Sequence, residues 1–395
     1  MTRESEERYQ AVLDDLQAEH RLRATRTYDP SVPGVLNASS NDYMGLARHP
    51  ECARRACEYA RTWGVGASSS RLICGTLPVH ETLEAKLARF KGSEAALIMG
   101  SGFQTNASAL AALLDRRTLG QTPGQGRGAD PLVFADKLNH ASMHEGCRLA
   151  GVRQIRYRHL DCNHLEALLV RNASQPGPRF ILSETVFSMD GDRADVPALA
   201  ELAARHGAFL YLDEAHAVGV LGPDGAGLAA GVTRHDGLVM GTFSKALGSY
   251  GAYVCCSRTI REYLVNRAPG FIFSTALPPP VLGAADAALD LLPGMERERK
   301  ALLALAERLR AGLVRAGLNT GESTTQIVPV TVGAESSALA AMRALEGESI
   351  LAVAVRPPTV PPGSSRLRLS LTALHGEKDV DRLVEAVPRV LGGVL

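Results

Sequence analysis

The chain lacks the short motifs that would assign it at a glance. Its 395 residues contain no Gly-Lys dipeptide, so the GxxxxGK[ST] phosphate loop of nucleotide-driven motors is missing. The DEAH string at 213–216 is therefore not read as a helicase box. Neither GxSxG nor HExxH occurs, which leaves no nucleophile elbow and no zinc-protease helix. No stretch approaches the roughly 18 apolar residues that a membrane span needs. The opening MTRESEERYQ is polar, so no secretory signal peptide is expected there. Seven scattered cysteines form no CxxC pair. Reduced thiols in a cytoplasmic protein are expected, with no disulfide frame and no bound metal. Formal charge is +1 with no Lys/Arg run, so no nucleic acid is expected as a partner.

What the chain does have is alternation. Apolar residues make up 45% and charged residues 22%, an ordinary globular balance, and the length suits two domains. Short apolar runs recur between helical patterns: AALIM (95–99), PLVFAD (131–136), RQIRY (153–157), RFILSE (179–184), AFLYLD (208–213), GLVMGT (237–242) and GAYVCC (251–256). Continuous apolar runs fit strands covered on both faces. Their alternation with helices predicts an α/β fold with a mostly parallel sheet. The periodicity also predicts helices over 3–26 and 79–92. A second regime starts near Pro278. It holds a long helix over 281–316, broken near Pro293-Gly294, then strands at 327–332, 350–355 and 366–371 between helices at 336–346 and 376–391. The expected domains are an N-terminal segment (1–50), a large domain (51–278) and a small C-terminal α+β domain (279–395). The Gly/Pro/Gln-rich stretch 116–130 reads as a surface insertion.

Ligands of such sheets bind beyond the carboxyl ends of the strands. There the sequence places Ser101-Gly102-Phe103 ahead of a helix, a candidate anion cradle. It places His140 after 131–136, Glu184 and Ser188 after 179–184, Asp213 and His216 after 208–213, and Thr242, Ser244 and Lys245 after 237–242. Each alone has an ordinary explanation as a cap, a turn former or a surface group. Lys245 is unusual, because it interrupts small and apolar residues at the end of a buried run. Burial there favours the neutral amine that a Schiff-base lysine requires. Asp213 ends an apolar strand and suits a buried cation such as a protonated pyridine nitrogen. Taken together, these residues follow the order expected of one large class of pyridoxal-phosphate enzymes.

At this point the chain resembles the α-oxoamine synthases. The resemblance rests on SSNDYMGL (39–46), CGTLPVHETLEAKLARFKGSEAAL (74–97), SGFQTN (101–106), NHASMHEG (139–146), ETVFSMDGD (184–192), DEAHAVGVLG (213–222), TFSKALGSYGAY (242–253), FSTALPP (273–279) and VRPPTVP (355–361). It implies a fold-type I, aspartate-aminotransferase-like transferase with a seven-stranded sheet. The implied cofactor is pyridoxal 5′-phosphate, and the implied assembly is a homodimer with shared active sites. Lys245 would hold the cofactor's aldehyde and serve as base. Asp213 would pair with the ring nitrogen, His216 and Ser188 would face O3′, and His140 would stack on the ring. Glu184 would also contact the cofactor. Gly102, Phe103, Thr242 and Ser244 would bind phosphate, and Ser274 with Thr275 would reach the phosphate of a neighbouring subunit. Arg356 would take the amino-acid carboxylate. Thr359 and Arg23, with Arg21 as its rival, would contact the acyl group, and Asn41 and Ser70 would also line the substrate site. The RPPTVP string points to the biotin-pathway branch, whose substrates would be L-alanine and pimeloyl-CoA or a pimeloyl-carrier protein. Another amino acid or acyl thioester is the alternative. Ser244 (where the family commonly has Gly), Met143-His144-Glu145 and the 116–130 insertion depart from the pattern.

Overall fold

The computed structural model describes residues 3–119, 129–231 and 236–394. They form two compact units. The larger comprises Asn41–Ser188 and Arg193–Lys300. It is built on seven strands: β1 (Ala95–Met99), β2 (Leu132–Asp136), β3 (Gln154–Tyr157), β4 (Arg179–Glu184), β5 (Ala208–Asp213), β6 (Gly237–Thr242) and β7 (Ala252–Cys256). Their spatial order is β1-β7-β6-β5-β4-β2-β3. Only β7 runs antiparallel to its neighbours. The seven apolar runs thus fall on the sheet to within a residue. The central strands are buried almost throughout, whereas the edge strand β3, QIRY, is mostly half-exposed, consistent with its polar side chains.

Side-chain alternation decides what each face carries. Phe180, Leu182 and Tyr211 pack into a cluster on one face with Leu110 and Leu113. Ile181, Leu210 and Leu212 pack on the other with Leu199 and Leu202. Each fully buried side chain of this size contributes roughly 1.5–3 kcal/mol. Glu184 and Asp213 end β4 and β5 in step with Leu182 and Tyr211. They therefore point to the face that carries Leu110 and Leu113.

The helices α1 (Arg3–Ala18), α2 (Pro50–Trp63), α3 (Pro78–Lys91), α4 (Gly102–Leu113), α5 (Ala141–Leu149) and α6 (Pro279–Leu291) follow in chain order. Helix α1 stops at Ala18, short of the 3–26 expected, and His20 takes a left-handed conformation with φ 56°. Helix α6 does not begin a separate domain at 279. It packs on α2 within the larger unit, where Arg55 reaches Asp286 at 2.8 Å. Gly283 permits this approach, because a Cβ there would stand 2.7 Å from the Arg55 carbonyl oxygen. The unit boundary accordingly falls at Lys300 rather than 278, and the first 40 residues group with the C-terminal unit. Of the 116–130 insertion, Arg116–Leu119 forms a short helix, and residues 120–128 lie outside the described residues.

The smaller unit comprises Met1–Ser40, Met189–Asp192 and Ala301–Leu395. Its antiparallel sheet contains β8 (Ile327–Gly333), β9 (Val353–Val355) and β10 (Ser365–Ser370), in the order β9-β10-β8. The strand expected over 350–355 divides at Ala352. Ile350–Leu351 pairs instead with Leu36–Asn37. Among the described residues no helix is long and apolar enough to cross a membrane.

Candidate active site

A cavity of about 240 Å³ opens beyond the carboxyl ends of β4, β5 and β6, entirely within the larger unit. Gly102, Phe103, His140, Glu184, Asp213, His216, Thr242, Ser244 and Lys245 all line it. The parallel strands bring their C-terminal ends to one side, so residues distant in sequence converge.

Lys245 leaves the end of β6 on a turn closed by Gly248, whose N–H donates to the Lys245 carbonyl at 2.9 Å. Gly248 is left-handed with φ 63°, and a Cβ there would meet the Ala47 backbone nitrogen at 2.1 Å. The Lys245 amine lies 2.8 Å from His216 Nε2. His216 Nδ1 lies 2.7 Å from the buried Tyr43 hydroxyl, which donates to Asn41 Oδ1 at 3.0 Å. A hydrogen-bonded chain thus runs from the amine to Asn41.

Asp213 is held by two donors. Asn106 Nδ2 reaches Oδ2 at 2.7 Å, and the Ala215 N–H reaches Oδ1 at 2.8 Å. Asn106 also accepts from the Tyr211 hydroxyl at 2.7 Å and donates to Ser142 Oγ at 2.9 Å. Ser142 Oγ in turn lies 2.6 Å from His140 Nδ1, which also accepts the Ser142 backbone N–H at 3.3 Å. One buried network therefore orients both the carboxylate and His140. The ring of His140 faces the cavity, yet desolvation pushes its imidazole below the ordinary range. The Lys245 cation adds to this effect, and Asp213 opposes it.

At the N-terminus of α4, Ser101 Oγ accepts from the Gln104 N–H at 3.2 Å. No acceptor among the described residues meets the N–H groups of Gly102 and Phe103. A Cβ on Gly102 would touch only Met240 Cε, at 3.9 Å, so the cradle is open. Across from it, Thr242 Oγ1 donates to the Gly251 carbonyl at 2.8 Å and receives Ser244 N–H and Oγ. Ser188 is buried on the segment after β4. Ser274 Oγ takes Gln104 Nε2 at 2.5 Å, and Thr275 forms an isolated bridge with Ser70.

The remaining expected residues belong to the smaller unit. There Arg23 reaches Thr359 Oγ1 at 3.4 Å and the Pro357 carbonyl at 3.5 Å. Arg356 donates to the His20 carbonyl. Arg21, its rival in the same stretch, is held by Glu19 and Glu335. Sequence reading passed over Tyr43, Asn106, Ser142 and Tyr211. Tyr211 had a usable signal, since it stands two residues before Asp213 on one strand and so shares its face.

The residues fit pyridoxal phosphate. Open N–H groups at a helix N-terminus suit its phosphate, Asp213 suits its ring nitrogen, and the Lys245 amine suits its aldehyde. Glu184 leaves Oε1 buried at the cavity with no partner among the described residues, as expected where a ligand supplies the partner.

Comparison with known proteins agrees. Residues 33–387 match the aminotransferase class I and II family. A putative 8-amino-7-oxononanoate synthase of Magnetococcus marinus is 58% identical over 357 residues, covering 90% of this chain and 88% of that protein. The 8-amino-7-oxononanoate synthase of Gluconacetobacter diazotrophicus is 53% identical over 387 residues, covering 96% of each. Serine palmitoyltransferase from S. paucimobilis, solved with bound PLP and myriocin, superposes with a TM-score of 0.85 at 26% identity, covering 98% of this chain and 97% of that one.

Proposed function

The chain belongs to the class I and II aminotransferase family and, within it, to the 8-amino-7-oxononanoate synthases; from that premise we propose that it condenses L-alanine with a pimeloyl thioester. The products are 8-amino-7-oxononanoate, carbon dioxide and free thiol, and the step belongs to biotin synthesis. The protein is an acyltransferase that uses pyridoxal phosphate. The observation that carries the reading is the convergence of the Lys245 amine, the Asp213 carboxylate and the open N–H groups of α4 on one cavity.

Bound pyridoxal phosphate supplies an aldehyde that captures amines and a ring that draws electrons from the carbon next to the captured nitrogen. In this reading the protein does the rest. Asp213, fixed by Asn106 and Ala215, holds the ring nitrogen. The Lys245 amine would anchor the aldehyde and, when free, would serve as the base that takes the Cα proton of alanine. His216, backed by Tyr43, lies within 2.8 Å of that amine and orients it. His140 covers the ring, and Gly102, Phe103 and Thr242 hold the phosphate. Arg356 takes the alanine carboxylate as a planar fork, and Arg23 with Thr359 meets the acyl chain. We further propose a homodimer in which Ser274 and Thr275 complete the phosphate site of the other subunit.

A steady-state panel tests the substrate assignment. L-Alanine, glycine and L-serine are each offered with acyl thioesters of several chain lengths, on coenzyme A and on a carrier protein. Alanine with a pimeloyl donor should turn over best. Inert pimeloyl donors alongside an active alternative would overturn the assignment.

A further inference from the structure

Strands β4 and β5 end in two carboxylates side by side. Glu184 and Asp213 are register partners, so their side chains leave the sheet on one face. Their surroundings differ. Asp213 receives two N–H donors. Glu184 is 2% exposed and keeps Oε1 without a partner among the described residues. Asp213 on β5, Asp136 on β2 and the Lys245 amine are the titratable groups whose charges act on it. A bare anionic oxygen buried beside a second carboxylate is costly, whereas a neutral acid in the same place is far less so. Burial, reinforced by Asp213 and opposed by Lys245 and the His140 backbone, pushes the Glu184 carboxyl well above the ordinary range.

We propose that Glu184 is a neutral carboxylic acid at physiological pH and a positioning residue of this site. The Oε1 hydroxyl is offered to the cavity as a hydrogen-bond donor. The pair then carries a single negative charge, on Asp213, matched to a single ring cation. Neutral acids in apolar sites can serve as such donors. What the donor meets, an acceptor oxygen of bound cofactor or substrate, rests on the reading above. The protonation state does not.

Infrared difference spectroscopy of the cofactor-free protein tests this. The carbonyl band of a protonated carboxylic acid should be present at neutral pH and vanish in Glu184→Gln. Isotope-labelled glutamate should shift the same band, which decides the matter if the variant does not fold. Cofactor binding gives a second readout. Glu184→Gln, still neutral and still a donor, should hold pyridoxal phosphate within about threefold of the parent, and Glu184→Leu about tenfold more weakly, the loss of one hydrogen bond. Absence of a glutamate acid band at neutral pH overturns the proposal, as does a Glu184→Gln protein that binds cofactor as poorly as Glu184→Leu. Failure of the alanine and pimeloyl assignment would leave the band in place, so the two failures are distinguishable.

Discussion

The Nζ of Lys245 lies 2.8 Å from Nε2 of His216, and the other nitrogen of that ring lies 2.7 Å from the Tyr43 hydroxyl. A half-buried amine is thus tethered at the cavity through a histidine that is itself held from behind. The arrangement suits an amine that must be released and then recaptured at one place.

Lys245→Ala should abolish the visible absorbance of lysine-bound cofactor and lower kcat by about 10²–10⁴-fold, the range of a lost general base. Spectra of the variant loaded with pyridoxal phosphate check the first part, and steady-state rates check the second. A variant that kept the band would show that another amine holds the cofactor.

Tyr43→Phe removes only the hydroxyl behind His216. The loss should be about tenfold in kcat, with a displaced pH–rate profile because the imidazole has lost its hydrogen-bond partner. A uniform drop in rate across pH, with the profile unmoved, would reduce Tyr43 to a packing residue.

Lys91 and Glu214 form a fully buried ion pair that also engages the Ala226 carbonyl and the Ala229 N–H. This pair ties the end of β5 to the 222–229 segment and does not line the cavity. Removing one partner strands a charge. Lys91→Met should therefore cost about 3–5 kcal/mol in unfolding free energy, measured by urea titration. Pairing it with Glu214→Gln should recover part of the loss.

His80 is fully buried, and its Nδ1 accepts from the Leu77 N–H at 3.1 Å. Desolvation first, and then the Arg71 cation, hold its imidazole down at about 4 against an ordinary 6.5. Between those values the unfolded chain binds the proton and the folded one does not. Stability should therefore rise with pH across this window and be lost as pH falls through it. The expected contribution is about 2–4 kcal/mol. Urea midpoints from pH 7 to pH 4 should fall steeply for the parent and less so for His80→Asn. Equal slopes would contradict the assignment.

Most of the larger sheet was legible because its strands are buried on both faces and read as unbroken apolar runs. RFILSE and AFLYLD need no partner to be recognised. The polar residues that close them were legible for the same reason, since each interrupts an apolar run. Helix α2 was not read. Its sequence, PECARRACEYARTW, is mostly polar, and its apolar face appears only against α6. The boundary near Pro278 was misplaced because the sequence change there is real, yet α6 turns back onto the larger unit. Asn106 and Ser142 were not singled out. An amide or hydroxyl on a helix carries no local sign that it faces a carboxylate such as Asp213 from across a sheet. Tyr43 lies 173 residues from His216, a contact that no periodicity reports.

The central claim is tested most directly by product. Purified protein, reconstituted with pyridoxal phosphate, is given carboxyl-labelled L-alanine and a pimeloyl thioester, and the mixture is followed by mass spectrometry. The account predicts 8-amino-7-oxononanoate, released label as carbon dioxide and free thiol in equal amounts, all three lost in Lys245→Ala. Thiol release without loss of the label, or a product that retains the alanine carboxylate, would contradict it.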